Sequence, residues 1–364
     1  MNFGNGKRKM ENPNHHQAGQ FLVESNSPTR PSNWLMRSAH SDETVSGLDK
    51  NDFGVSALTL RFLNSRGINK QSEIEQYLNS NLKNLPDPFL LKDMDKAVEL
   101  AKESLLSNEK ITVWGDYDVD GTTGAALLYF FFKELGADVS VYQPNRSTEG
   151  YGINPQGLEN LHKEGTKLVI SVDCGITSFE AAEKANEIGL KLLITDHHKP
   201  KEKLPDAKVV VNPNRQDDES GLGMLAGVGV GFYFALALRK NLREEGFFKT
   251  KSEPNMRNLL DLVAVGTVAD VASLTGVNRA LVKEGLKVLE RTERPGLKAL
   301  IAKGKVKAPI SPHNIGFQIG PRINAAGRVG TPEIAFRLLT SENHHEANIY
   351  ASQLEALNSR RRGC

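Results

Sequence analysis

Residues 111–124 read ITVWGDYDVDGTTG, and this stretch decides the architecture. Ile111-Thr112-Val113-Trp114 is a short apolar, β-rich run that stops at a glycine. Asp116, Asp118 and Asp120 then alternate through a turn. Gly121-Thr122-Thr123-Gly124 reads as the close-packed start of a helix over residues 122–135, in which Phe130-Phe131-Phe132 are packing residues. Working outward, similar apolar runs recur at 139–142, 168–172, 192–195 and 209–211, with a further helical segment at 178–188. Alternating apolar strands and helices predict an α/β domain, with a mostly parallel sheet flanked by helices. Ligands of such sheets sit beyond the carboxyl ends of the strands.

The residues after the strands therefore carry the functional signal. Asp116, Asp118 and Asp120 follow the first strand, Asp173-Cys174-Gly175 the third, and Asp196-His197-His198 the fourth. A later apolar segment, 259–268, ends in Ala269-Asp270. One aspartate after a strand is ordinarily a cap or turn residue. Four such sites on one edge are hard to explain as caps, because clustered carboxylates repel unless cations neutralise them. Carboxylates with imidazoles suit a two-metal site. A calcium loop is excluded: counted from Asp116, its required twelfth-position acid is Leu127, and a strand precedes it. A phosphate-cradling loop is excluded too, since no Gly-Lys-Ser/Thr follows.

Of 364 residues, 39% are hydrophobic and 25% charged, which is ordinary globular composition. With 46 basic and 44 acidic residues the formal charge is +2, so a nucleic-acid surface has to be a local patch. Two cysteines, Cys174 and Cys364, exclude a disulfide framework and a cysteine zinc site. No apolar run reaches membrane-spanning length and no secretory signal opens the chain, so a cytoplasmic address with no membrane partner is expected. Residues 1–50 read as a disordered tail in which His15-His16 is solvated, and 51–108 as a helical amino-terminal region. Residues 109–340 form the catalytic domain and 341–364 start a connecting helix.

The ordered set VWGDYDVDGTTGA, PNRSTEGYGI, ISVDCGITS, LLITDHHKP, VVNPNR, LAGVGVGF, DLVAVGTVADVASLTGVNR and IGPRINAAGR resembles the DHH phosphoesterase superfamily. Within it the chain resembles the RecJ family of single-strand-specific DNA exonucleases, over roughly residues 50–362. The resemblance implies two divalent cations, Mn²⁺ or Mg²⁺. It makes Asp118, Asp120, Asp173, His197 and Asp270 direct ligands, with Asp173 bridging and Asp116 in the same turn as ligand or support. Asp173 and His198 are the catalytic candidates. His198 diverges from its neighbour and is assigned to the substrate phosphate, or else to structural support. Arg322, Asn324 and Arg328 are expected on phosphate; the alternative for the arginines is an ion pair between elements. Arg146 and Tyr151 complete the DNA-binding candidates, Tyr151 stacking on a base or else buried in a turn. Residues 283–307, with eight basic and three acidic side chains, track a strand backbone or form a solvated helix face.

The activity so implied is 5′-to-3′ hydrolysis of single-stranded DNA in repair and recombination, with single-strand-binding protein or a helicase as partners. The alternatives are an oligonucleotide or cyclic-dinucleotide phosphodiesterase, a pyrophosphatase, and a low-activity binding module. The resemblance also implies a DHH-associated domain and an OB-type domain beyond the connecting helix. No GGGH-type segment occurs in the 364 residues, so a catalytic half with weakened affinity and processivity is expected.

Overall fold

The computed structural model describes residues 53–363; the expected tail and the His15-His16 pair lie outside the described residues. The chain divides into two compact units, Met1–Asn79 and Ser80–Cys364. In the first, helices α1 (Ala57–Asn64) and α2 (Gln71–Leu78) enclose a small core of Leu60, Leu63 and Ile74. Ser56 starts α1 by accepting a hydrogen bond from the Thr59 amide at 3.2 Å.

The second unit is built on five parallel strands in the order β2-β1-β3-β4-β5. These are β1 (Lys110–Gly115), β2 (Val139–Tyr142), β3 (Thr166–Val172), β4 (Lys191–Thr195) and β5 (Val209–Val211). All five lie where the sequence predicts, within one or two residues. Side chains alternate between faces, and both faces are buried. Ile111, Val113, Leu168, Ile170, Val172 and Leu193 join the larger core, whereas Trp114, Val169, Leu192 and Ile194 join the other. The polar Thr112 is accommodated because its hydroxyl bonds to Ser140 (2.9 Å) and Thr166 (2.8 Å).

On the larger-core face lie α3 (Met94–Leu106), α4 (Val119–Leu135), α7 (Gly227–Glu244) and α8 (Leu260–Ala269). The opposite face is covered by α5 (Pro155–Lys163) and α6 (Phe179–Glu187). The chain continues through α9 (Gly276–Glu290), α10 (Pro295–Lys303) and the short α11 (Pro312–Asn314). A π-helical turn, Ile315–Ile319, then leads into α12 (Gly320–Val329). Helices α13 (Pro332–Thr340) and α14 (His344–Gly363) follow, α14 burying Ala347, Ala351, Leu354 and Asn358 along one face. Among the described residues no helix is long and apolar enough to cross a membrane.

One boundary and two details of packing differ from the sequence reading or add to it. Helix α4 starts at Val119 rather than Thr122, because the Asp118 carboxylate caps it, accepting from the Gly121 amide at 3.0 Å. Such a cap contributes about 1 kcal/mol. Helix α3 has its predicted limits but belongs with the sheet, not with the preceding helices. Ala97, Val98 and Ala101 are buried in the larger core. Its apolar period marks a face without saying which surface covers it. Phe131 and Phe132 are buried, as expected, whereas Phe130 is half-buried with the Arg294 guanidinium 4.2 Å from its ring centroid.

Candidate metal centre

The strand order reverses between β1 and β3, and that is the position at which an open parallel sheet leaves a crevice at its carboxyl edge. Asp116 leaves β1 there and Asp173 leaves β3, its amide donating to the Thr195 carbonyl of β4 at 3.1 Å. Asp173 has φ +64°, a left-handed conformation that an aspartate tolerates at some cost. Asp120, in the first turn of α4, is almost wholly buried. Its carboxylate accepts the amides of Gly227 (2.6 Å) and Val228 (2.9 Å) at the start of α7. Asp270 closes α8.

These residues assemble into two groups, Asp116, Asp118 and Asp173, and Asp120, His197 and Asp270, which a third, Asp173, His197 and His198, links; within each the ligand atoms lie within 4.8 Å of one another. Asp173 Oδ1 stands 3.1 Å from His197 Nε2, which is 3.7 Å from Asp120 Oδ2, so Asp173 lies between the groups. Although 3.1 Å apart, Asp173 Oδ1 and His197 Nε2 do not meet in hydrogen-bonding geometry. Both are buried without a hydrogen-bond partner, as is Asp116 Oδ1. Buried polar atoms are almost always satisfied. Three orphaned buried atoms in linked clusters of carboxylate and imidazole suit divalent cations, and hard oxygens with one imidazole suit manganese or magnesium.

The electrostatics agree. Burial and the neighbouring Asp118 carboxylate push Asp116 up to about 7, and the same two causes push Asp270 up to about 6. Asp120 and Asp173 are raised as well, by burial and then by the charge of Asp270 and of Asp120 respectively. Burial holds the His197 imidazole below its usual range, in the neutral form that binds metal. A carboxyl raised on folding holds its proton more tightly in the folded state. Its stabilising effect is complete below the unfolded value and is lost as pH rises through the folded one. The metal-free protein is therefore expected to melt at progressively lower temperature between about pH 4 and about pH 7, and saturating Mn²⁺ to remove that slope. A flat profile without metal, read by differential scanning calorimetry, contradicts the cluster's assigned charge state.

The Asp196-His198 pair has a different function. Burial alone would raise the Asp196 carboxyl, but hydrogen bonds from His198 and from backbone amides bring it below the ordinary range. Asp196 Oδ1 accepts the amides of His197 (2.7 Å) and His198 (3.1 Å) and lies 2.8 Å from His198 Nδ1. That bond raises the His198 pKa. Asn212 and Asn214 fix the same turn, donating to the His198 carbonyl (2.9 Å) and the His197 carbonyl (2.6 Å). The sequence reading assigned Asp196, Asn212 and Asn214 no role; the triplet and VVNPNR were visible, but not which oxygen orients which imidazole.

The DNA-binding candidates separate. Arg322 is buried and committed within the fold: Nε donates to Glu355 of α14 at 2.5 Å, and its other nitrogens reach the Gln318 and Lys303 carbonyls. The structure gives Arg322 the inter-helix ion pair that was the alternative to its expected phosphate role. Asn324 and Arg328, from the same helix, face a recess beside Val119 and Ala269. Exposed Arg146 lies with its guanidinium 5.5 Å from the Tyr117 ring centroid. Tyr151 is not buried in a turn. Its ring is 51% exposed, and its hydroxyl is 3.4 Å from His198 Nδ1. In the 283–307 stretch Lys287 and Lys298 pair with Glu284 and Glu293, and Arg294 with buried Asp261, which fits a helix surface.

The DHH family, N-terminal domain, matches residues 110–267, which include every cluster residue but Asp270. Single-stranded-DNA-specific exonuclease RecJ of Dickeya dadantii is 39% identical over 84% of this chain and 53% of its own length. The Escherichia coli protein of that name is 38% identical, with the same coverage. The chain thus spans about half the length of these curated relatives. A crystal structure of exonuclease RecJ bound to manganese superposes with TM-score 0.67 at 38% identity, over 77% of this chain and 68% of that one. RecJ of Thermus thermophilus in complex with Mn²⁺ gives 0.68 at 35% identity, over 82% and 41%. The similarity runs through the turns that bring the carboxylates and His197 to one sheet edge, and the chain belongs to the RecJ family of DHH proteins.

Proposed function

We propose that this chain is a metal-dependent phosphodiesterase that removes nucleotides from the 5′ end of single-stranded DNA. The observation that carries the reading is the convergence of three orphaned buried acceptors, Asp116 Oδ1, Asp173 Oδ1 and His197 Nε2, at the carboxyl edge of the sheet. Asp116, Asp118 and Asp173 would hold one divalent cation, and Asp120, His197, Asp270 and Asp173 a second, Mn²⁺ or Mg²⁺ as in the relatives. Such cations supply Lewis acidity toward a phosphodiester and activate water at neutral pH.

The protein's own groups do the rest. With His198 Nδ1 donating to Asp196, the other ring nitrogen is the one offered to substrate. The Asp196 bond raises its pKa and so favours the protonated ring, a hydrogen-bond donor to a phosphate oxygen. Tyr151 and Tyr117 present an edge-on aromatic pair, centroids 6.3 Å apart, beside Arg146, which suits an unpaired base followed by its phosphate. A DNA substrate implies a cytoplasmic site of action, with single-strand-binding protein or a helicase supplying the strand.

The test is degradation of end-labelled single strands by the purified chain, with and without Mn²⁺, beside duplex and dinucleotide controls. Mn²⁺-dependent loss of single strands from the 5′ end is expected. Cleavage confined to dinucleotides moves the chain to small substrates, and no cleavage by metal-loaded protein overturns the exonuclease reading.

A further inference from the structure

The recess that holds Asn324 and Arg328 has a third polar wall that comes from another helix. It encloses about 160 Å³ between Val119, Ala269, Gly316, Gly320 and Pro321. Its remaining wall is Arg361 of α14. Arg361 belongs to a run of three arginines, and its neighbour Arg362 takes a different position. Arg362 pairs with Glu355 at 3.6 Å, and the other oxygen of Glu355 takes Arg322. Both oxygens of the nearby carboxylate are thereby committed, and Arg361 faces the recess without an acid. Its Nη2 donates to Asn358 at 3.1 Å, while its Nε is buried and meets no acceptor. A buried guanidinium N–H without an acceptor is uncommon in a folded protein.

We propose that Arg361 is a substrate-binding residue, forming with Asn324 and Arg328 a seat for one phosphate oxyanion beside the metal centre; this rests on the exonuclease reading above. The chemistry is specific. Two guanidinium forks and an amide line the recess and no carboxylate does, which is a set that recognises a tetrahedral anion. Val119 and Ala269, its floor, are the chain neighbours of Asp118, Asp120 and Asp270. The recess therefore adjoins the cluster, as the phosphate next to a scissile one requires. Unneutralised, that cluster repels an anion, so occupancy of the recess is expected to depend on divalent cation.

The experiment measures binding, not turnover. The full chain is loaded with Ca²⁺, and fluorescence anisotropy reports its affinity for a labelled single-stranded oligothymidylate. One phosphate at a time is made a neutral methylphosphonate. Arg361→Gln is expected to weaken binding roughly tenfold to a hundredfold, the range for a charge-assisted pair. The loss should vanish when the methylphosphonate occupies one particular linkage. Arg361→Lys should recover part of the affinity, and Arg362→Gln, which removes an equal charge from the same helix, should couple to no single linkage. Arg361→Gln losses that add to those of every methylphosphonate overturn the assignment and leave Arg361 structural. Wild-type protein that binds no strand overturns the exonuclease reading along with it.

Discussion

Asp173→Asn is expected to lower Mn²⁺-dependent hydrolysis by at least about a thousandfold while leaving the protein folded. Asp173 belongs to one ligand group and stands 3.1 Å from His197 of the other, so its charge is assigned to both proposed cations. Asparagine keeps the shape and is among the non-glycine residues that best tolerate the left-handed backbone at φ +64°. The substitution also removes a buried carboxylate held well above its usual pKa by burial and by Asp120. The metal-free variant should consequently be at least as thermostable as the parent at neutral pH, and its melting temperature should respond less to Mn²⁺. His197→Ala is expected to remove hydrolysis as well. Folded Asp173→Asn protein that keeps activity within tenfold of the parent on an end-labelled strand sinks the assignment of the ligands.

Gly227→Ala is the second large effect, and it acts through packing. Gly227 is the first residue of α7, and its amide donates to Asp120. A Cβ there would stand 2.5 Å from Asp173 Cβ and 2.7 Å from Asp173 Oδ1. Neither neighbour has room to retreat, since both belong to Asp173, anchored at the end of β3 and wholly buried. Helix α7 must then back away, lengthening both amide bonds that position Asp120. Overpacking of this kind costs about 1–3 kcal/mol of stability. Loss of ligand positioning typically costs about 10–100-fold in metal affinity. The check is Mn²⁺ titration by calorimetry beside a melting curve. Parent-like Mn²⁺ affinity in the variant refutes the close approach of α7.

Residue type and strand periodicity suffice for most of the cluster because a parallel sheet brings every strand's carboxyl end to one edge. Asp116, Asp173 and His197, widely spaced in sequence, had to come to one edge once the strands were recognised, with Asp118 and Asp120 close behind Asp116; that Asp270 joins them from the end of α8 does not follow from the strands. What pattern cannot show is where a flexible cation goes. Arg322 looks the same in sequence whether it meets phosphate or Glu355, 33 residues on in another helix. Arg361 looks like one more charge in an arginine run, because its neighbours' pairing with Glu355 exists only after α12 and α14 have packed. Helix α3 was legible as a helix, and its packing against the sheet was not, for a related reason. An amphipathic period reveals that a face is covered, not by what.

The interdigitated origin of the two ligand groups also bears on the order in which the molecule assembles. Asp116, Asp118 and Asp173 all lie within the β1-to-β3 span, so their group is complete once three adjacent strands have paired. The other group waits for Asp270, about a hundred residues further along, and for the α7 amides that hold Asp120. During synthesis the first half-site is finished while the second is still unmade, and like charges have gathered at an open sheet edge. A cation arriving at that stage would act as a folding ligand, offsetting the repulsion that the nascent sheet would otherwise carry until α7 and α8 close over it.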